Sequence, residues 1–216
     1  MKCTTYWLAA ALLIGALIVP VAAQKAADNG WIPLFDGKDL DGWHPRGGGA
    51  NSWTVHDGMM SNAGHGTDLI TDEVFGDIEL HVEFRVPKGS NSGVYLQGRY
   101  EVQVLDSADA TDLNTSMCGA VYNQIAPSEN ASKPAGEWQT FDIVFHAPQC
   151  DEKGAVTKKA RISVVHNDVL IIDDQEIQGP TGGELDGKVG EPGPVFVQGD
   201  HGVVDYRNIR YRPLPQ

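Results

Sequence analysis

The chain has 216 residues, with 29 Asp or Glu against 16 Lys or Arg, for a formal charge of −13. An acidic surface repels phosphate backbones and anionic lipid, which argues against nucleic-acid and membrane-surface roles. The length suits one core of sandwich or barrel size.

The first residues read as a secretory signal. Lys2 precedes an apolar run from Trp7 to Val19, Pro20 breaks it, and Val21-Ala22-Ala23 is a small-residue cleavage pattern. Residues 1–23 are therefore taken as a signal peptide and residues 24–216 as one mature domain. The run is shorter than the roughly 20 residues of a spanning helix, with an uncleaved anchor as the alternative. No later stretch is apolar enough to cross a bilayer, so no membrane partner is expected after processing. Removing Lys2 with the signal takes the formal charge from −13 to −14. The expected address is periplasmic or secreted. Cys118 and Cys150 survive processing, and an oxidising compartment favours a disulfide between them. Closing that loop would stabilise by roughly 3–4 kcal/mol in the chain-entropy model.

In chain order, Trp53–Val55 and Met59–Ser61 flank Asp57-Gly58, a hairpin dipeptide. Ile78–Val86 alternates strictly, with Leu80, Val82, Phe84 and Val86 on one face and Glu79, His81, Glu83 and Arg85 on the other. Gly93–Gln97 and Arg99–Leu105 repeat that alternation about Gly98, as an antiparallel hairpin does. Gln139–Phe145 turns Phe141, Ile143 and Phe145 inward. Arg161–His166 and Val169–Ile172 meet at Asn167-Asp168, and Val195–Gln198 and Val203–Tyr211 complete the set. No segment holds a helical period, and Ser107–Met117 has room for one turn of helix at most. Many short strands separated by Gly, Asn, Asp and Pro predict an all-β sandwich or closed barrel. Ser128–Pro134 and Gly179–Pro194 are the long connections, where function often sits.

Strand parity sorts the polar residues. With Val94, Leu96, Tyr100, Val102 and Val104 facing the core, Tyr95, Gln97, Glu101 and Gln103 project from the opposite face. By the same rule Glu83 and Arg85 oppose Phe84, and Phe196 and Gln198 oppose Val195 and Val197. If these strands are neighbours in one sheet, its outer face offers carboxylates, amides, a guanidinium and exposed aromatics, a mixture suited to carbohydrate. The plain alternative is a solvated sheet face. Glu101 and Asp106 lie five apart, so only a one-residue bulge would bring them together. The stretch resembles the E-x-D-x-x-E strand of laminarinase-type glycosidases, but Gln103 replaces the central acid, which weakens a two-carboxylate mechanism. Among the histidines, His65 in a Gly-rich loop and His201 after a strand are the functional candidates. His81 and His146 fall on solvent parity, and so does His166. Asp200 with His201, or His65 with Asp68, could seat a divalent cation, although no motif requires a cofactor.

Several segments together carry a family likeness. Trp31-Ile-Pro-Leu-Phe-Asp-Gly-Lys-Asp-Leu-Asp-Gly-Trp43 is followed by Trp53-x-Val55 with Asp57-Gly58, Asp68-Leu-Ile-Thr71 and Gly89-Ser-Asn-Ser-Gly-Val94. Arg99-Tyr-Glu-Val-Gln-Val-Leu-Asp106, Gly119-Ala-Val-Tyr122, Lys133-Pro-Ala-Gly-Glu-Trp138 and Gln198-Gly-Asp-His-Gly202 with Tyr206-Arg-Asn-Ile209 complete the series. From about residue 30 to 214 the chain resembles the 3-keto-disaccharide hydrolase domain family. The resemblance implies a concanavalin A-like jelly roll, an exported bacterial protein, and cleavage of glycosides already oxidised at C3.

In such a substrate the ketone acidifies the C2 proton. A base removes it, a donor or cation holds the enolate, and the C1 substituent leaves by elimination before water adds back. Glu101 or His201 is the expected base and the other the acid, while Arg207 is expected to hold the enolate. Gln103 and Gln198 would orient hydroxyls, Tyr95 or Trp138 would stack on the ring, and Gln97 and Glu83 would line the face. Two other classes compete: a non-catalytic carbohydrate-binding jelly roll, and a conventional glycosidase needing Asp106 or Glu83 close to Glu101. Subunit number is left open.

Overall fold

Period-two patterning becomes a strand wherever an apolar face meets a second sheet. The computed structural model describes residues 29–215, so the signal segment expected at 1–23 lies outside the described residues. The first strands are β1 (Ile32–Pro33), β2 (Trp43–Pro45), β3 (Trp53–His56), β4 (Met59–Ala63), β5 (Leu69–Phe75), β6 (Ile78–Arg85), β7 (Asn91–Leu96) and β8 (Tyr100–Leu105). They continue with β9 (Gln139–His146), β10 (Gln149–Cys150), β11 (Val156–Lys158), β12 (Arg161–His166), β13 (Val169–Glu176), β14 (Gly193–Val197) and β15 (Val203–Pro213). Among the described residues the helical content is one 3-10 turn at Arg46–Gly48.

The larger antiparallel sheet runs β13-β12-β9-β6-β15-β4-β3, with β1 added beside β15; the smaller runs β2-β5-β14-β7-β8. The two pack face to face as a jelly-roll sandwich, and β10 and β11 form a separate ribbon. Leu80, Val82, Phe84, Phe141, Ile143, Phe145, Tyr206 and Ile209 pack in one cluster with Val94, Val102, Val104, Val195 and Val197. Burying each such side chain contributes on the order of 1.5–3 kcal/mol, which makes this seam the main stabilising element.

The turns follow from local chemistry. Asn167 and Asp168 adopt φ of 49° and 67°, the paired positive values of the tight turn that joins β12 to β13. Gln97 and Gly98, at 52° and 68°, turn β7 into β8, closed by the Arg99 N–H donating to the Leu96 carbonyl at 3.0 Å. Gln97 is therefore a turn residue rather than the end of a strand. Its amide donates to the Phe75 carbonyl at 3.1 Å, so it does not reach the face where parity had placed it.

Strand β5 escapes periodicity because both its faces are covered. Leu69 joins the main core while Ile70 joins a second cluster with Tyr95 and Phe196. The expected disulfide is absent: Cys118 and Cys150 are free thiols. Cys118 points into the core, where burial pushes its thiol up to about 12. Cys150 lies on the β10 ribbon and donates to the Val189 carbonyl at 3.4 Å. His166 is also fully buried, beside Phe84 and Phe141, rather than solvent-facing.

The connection between β13 and β14, residues 177–192, crosses the outer side of the small sheet as a strap. Leu185 N–H donates to the Gly98 carbonyl at 2.7 Å, and Thr181 N–H to the Arg99 carbonyl at 2.8 Å. Buried Arg99 pins it further, donating from Nε to Asp186 at 2.7 Å and from Nη1 to the Glu191 carbonyl at 2.9 Å. Arg99→Met should lower stability by about 2–3 kcal/mol, since it strands a buried carbonyl and removes a charged hydrogen bond. Urea midpoints check this, with Arg161→Met on the exposed Asp174 pair expected to stay near wild type.

Candidate active site

The outer face of the small sheet carries Tyr95 from β7, Glu101 and Gln103 from β8, and Phe196 and Gln198 from β14 and its exit. Above them lies a cleft of about 310 Å³ lined by Tyr95, Glu101, Gln103, Gln198, His201 and Tyr122, among others. The predicted Glu101, Gln103, Gln198 and His201 are thus brought together. Strand β8 is held on its free edge too, since Gln103 N–H donates to Ala120 and Gly119 N–H to Gln103, at 2.9 and 2.8 Å. This clamps the backbone that aims Glu101.

Glu101 is 3% exposed. Burial pushes its carboxyl up to about 7, against the pull of the Tyr95 hydroxyl and of His201, with Asp68 and Asp200 adding to the rise. The Tyr95 oxygen lies 2.8 Å from Glu101 Oε2 and 2.8 Å from the Gly182 carbonyl on the strap. A phenol has one proton, and a carbonyl has none to give. Both contacts are satisfied together only when the Glu101 carboxyl is neutral, donating to Tyr95 while Tyr95 donates to Gly182. When Glu101 ionises, Tyr95 must turn its proton to the carboxylate and abandon the strap. The Tyr95 hydroxyl itself is driven well above its ordinary value by burial and by Glu101.

Gly93, on β7 beside the carboxyl, has no room for a side chain. A Cβ there would stand 2.3 Å from Glu101 Oε1. The Thr181 hydroxyl accepts the Glu101 N–H at 3.0 Å and donates to the Arg99 carbonyl at 3.1 Å, tying strap to strand.

His201 follows β14, and its Nδ1 makes a short hydrogen bond to Asp200. With the carboxylate as acceptor, that pairing puts a proton on Nδ1, so Nε2 is the nitrogen left to exchange one. Asp68 cannot share in a cation site freely: one oxygen pairs with Arg46 at 3.1 Å and the other accepts the Gly199 N–H at 3.1 Å. Among the described residues no group of three His, Cys, Asp or Glu gathers as a metal site.

The remaining expectations are corrected by sheet membership. Glu83 and Arg207 belong to β6 and β15 in the larger sheet, and they project from its outer surface, away from the cleft. Arg207 Nε donates to Glu83 at 2.6 Å, and its guanidinium lies 3.9 Å from the Trp138 ring centroid. Burial works to raise the Glu83 carboxyl, but Asn208 and Arg207 prevail and hold it below the ordinary value. These three form an ionic, aromatic surface cluster and take no part in the site. Tyr95 and Phe196 are not exposed platforms either. They stack on each other at 3.9 Å between centroids, buried beneath Leu185 and the strap. No bulge interrupts the β7–β8 pairing, and Asp106 lies beyond the strand, accepting the Gly89 N–H at 2.8 Å. The two-carboxylate reading loses both its candidate partners.

Sequence reasoning missed Arg46, Thr181 and the strap carbonyl of Gly182, and it raised Asp68 as a cation ligand with His65 rather than as the partner of Arg46 and the Gly199 N–H. Arg46 bridges Asp68 to the Gly183 and Glu184 carbonyls at 2.9 and 2.8 Å, fixing the strap to the sheet edge. No local pattern marks such a residue, because its strap partners lie more than 130 positions away.

Residues 30–212 match the model of the 3-keto-alpha-glucoside-1,2-lyase-like domain family. The chain belongs to this family. A 3-keto-disaccharide hydrolase of Bacteroides thetaiotaomicron is 30% identical over 156 residues. That match covers 55% of this chain and 53% of the relative, so the chain spans about half of the relative's length. A solved Parabacteroides distasonis protein, provisionally assigned as a glycosyl hydrolase, superposes with TM-score 0.77 at 35% identity, covering 86% of this chain and 84% of that one. The carbohydrate-binding module CBM66 of Bacillus subtilis shares the fold alone, with TM-score 0.52 at 10% identity, covering 79% of this chain and 95% of that one.

Two predictions follow from the carboxyl of this lyase-like domain. A folded value near 7 against an unfolded value near 4.5 means the native state binds more protons between those pH values, so Glu101 costs stability as pH rises through that window. His166, pushed down to about 4 by burial and by Lys133, works in the opposite direction between about 4 and 6.5, where the unfolded chain binds the proton. Against that shared background, the advantage of Glu101→Gln over wild type should grow by about 3 kcal/mol between pH 4.5 and pH 8, read from urea midpoints. Gly93→Ala should stay folded by circular dichroism yet displace the carboxyl, and so shrink the pH-dependent stability gain from Glu101→Gln in the same urea measurement.

Proposed function

We propose that this is an exported enzyme that cleaves 3-keto-glycosides by proton abstraction at C2 and elimination at C1. The observation that carries the reading is the buried Glu101 carboxyl, held near neutrality in proton affinity and set in one cleft with the Asp200–His201 pair. Membership of the lyase-like family and the Bacteroides relative supply the substrate class. The apolar leader at the N-terminus supports export to the periplasm or beyond.

The chain's own groups divide the work. His201 Nε2 takes the C2 proton, which the C3 ketone has acidified, and the electron pair becomes an enolate. The Gln198 amide lines the same cleft and offers its N–H to the enolate oxygen. The enolate collapses to form the C1–C2 double bond and expels the C1 oxygen, to which neutral Glu101 delivers its proton. Water then adds: ionised Glu101 takes one of its protons as the oxygen bonds C1, the C1–C2 pair shifts back to the enolate, and His201 returns to C2 the proton it had taken. The net reaction is hydrolysis without oxidant or reductant. Stopping before the water step gives a lyase with the unsaturated keto sugar as product.

The roles separate experimentally. Wild-type protein should release monosaccharide from a 3-keto-disaccharide and none from the unoxidised disaccharide. With a 3-keto monosaccharide that lacks a leaving group, exchange of the C2 hydrogen with deuterated water should persist in Glu101→Gln and disappear in His201→Ala. The reverse pattern would exchange the two roles. Binding without release or exchange in the wild type would mark a carbohydrate-binding module instead.

A further inference from the structure

The acid and the base of the proposed reaction reach the cleft by different routes, Glu101 on strand β8 and His201 on the turn that follows β14. We infer that Asp68 is the positioning residue that sets the two against each other. One of its carboxylate oxygens holds the His201 turn, and the other holds, through Arg46, the strap over Glu101. This rests on the reaction proposed above and adds the residue that registers its two proton-transfer groups.

Two of the motifs read from the sequence, Asp68-Leu-Ile-Thr71 and Gln198-Gly-Asp-His-Gly202, meet here. The anchoring of the turn falls on Gln198 and Gly199. Gln198 N–H donates to the Gly93 carbonyl at 2.9 Å, and the Gln198 carbonyl accepts the Ser92 hydroxyl at 2.7 Å. Gly199 N–H donates to Asp68 Oδ1 at 3.1 Å, and the Gly199 carbonyl accepts the Gly66 N–H at 2.9 Å. A Cβ on Gly199 would stand 2.3 Å from the Thr67 carbonyl oxygen, so the turn lies flush against the segment leading into Asp68. Beyond this anchor Asp200 and His201 are exposed, and where the imidazole points follows from where Gly199 is held.

The second oxygen explains why a carboxylate stands here rather than an amide. Asp68 is 7% exposed, and burying an ion is strongly unfavourable unless it is paired. An amide oxygen would serve the Gly199 N–H without that cost. The charge brings in Arg46, 3.1 Å from Asp68 Oδ2, whose two terminal nitrogens donate to the Gly183 and Glu184 carbonyls at 2.9 and 2.8 Å. Those carbonyls adjoin Gly182, the strap residue to which Tyr95 ties Glu101. One carboxylate therefore links the strap over the acid to the turn that carries the base. Displacing either group by about 1 Å is enough to cost on the order of 100-fold in rate.

The test uses the full chain with a 3-keto-disaccharide and compares Asp68→Ala and Asp68→Asn with Asp205→Ala, which breaks the Arg85 ion pair on the larger sheet. Asp68→Ala should lower kcat by about 100-fold with KM within about threefold. Asp68→Asn keeps an oxygen for the Gly199 N–H and should recover about tenfold of that loss. Both variants remove the charge that helps to raise Glu101, so the difference between them reads the hydrogen bond to the turn. Asp205→Ala should lose stability in urea yet keep kcat within about twofold. Equal kcat in the alanine and asparagine variants, or a kcat for Asp68→Ala as near wild type as that of Asp205→Ala, would overturn the positioning role. Should the alanine variant not fold, Asp68→Asn decides alone: kcat about tenfold below wild type is expected from the lost Arg46 link, and a wild-type value overturns it. A wild type that releases no monosaccharide would instead overturn the reaction, and the turn is then read by hydrogen exchange. The Gly66 amide, bonded to the Gly199 carbonyl, should exchange about tenfold faster in Asp68→Ala than in Asp205→Ala, and equal rates would overturn the positioning as well.

Discussion

One shared proton organises this site. Tyr95 stands between the Glu101 carboxyl and the Gly182 carbonyl and has a single hydrogen for two acceptors. The strap is therefore fully hydrogen-bonded at Gly182 only while Glu101 is neutral, and the sheet face, the covering loop and the acid are coupled through one phenol. Arg99, Arg46 and Thr181 exist in this arrangement to hold the strap down, because a loose strap would hydrate Glu101 and return it to an ordinary carboxylate. The elevated proton affinity is a consequence of burial, and burial is a consequence of the strap.

The same logic explains the two uses of charge on opposite sides of the sandwich. On the larger sheet, Glu83 meets Arg207 and Asn208 directly and remains ionised, a satisfied ion pair at the surface. On the smaller sheet, Glu101 is buried without a cation in hydrogen-bond contact, so desolvation dominates. Two glutamates on solvent parity differ in function because one is paired and wet while the other is covered and nearly dry. A carboxyl of the second kind can give a proton at neutral pH, as the proposed elimination requires of its acid. Gln103 stands where a second acid would have raised the Glu101 carboxyl further, so an amide rather than another carboxyl adjoins it on the strand.

Much of the fold was legible. Strict alternation in Ile78–Val86, Gln139–Phe145 and Gly93–Leu105 marked strands whose inner faces are those now in the core. Asp57-Gly58 and Asn167-Asp168 marked their hairpins because only tight turns demand consecutive positive φ values. The short strands β1, β2, β10 and β11 were not legible, being two or three residues long. β5 was hidden because the second apolar cluster covers the face that would otherwise be polar. The expected cystine fails on side-chain direction: Cys118, in the turn region after β8, is buried in the core, while Cys150 sits on an outlying ribbon.

The sequence by itself determined parity: which side chains share a face with Glu101, and which with Phe84. It also carried the order of motifs that marks the family, because those motifs are local. Only the tertiary structure decided which sheet each strand joins, and equal parity in opposite sheets points in opposite directions. Glu83, Arg207 and Trp138 were lost from the site for that reason, and Gln97 was lost because a turn rotated it away. Strap residues 80 or more positions from the strands they cover entered the site instead. Pairing between strands is a long-range choice made by the collective burial of both faces, and no window of a few residues contains it.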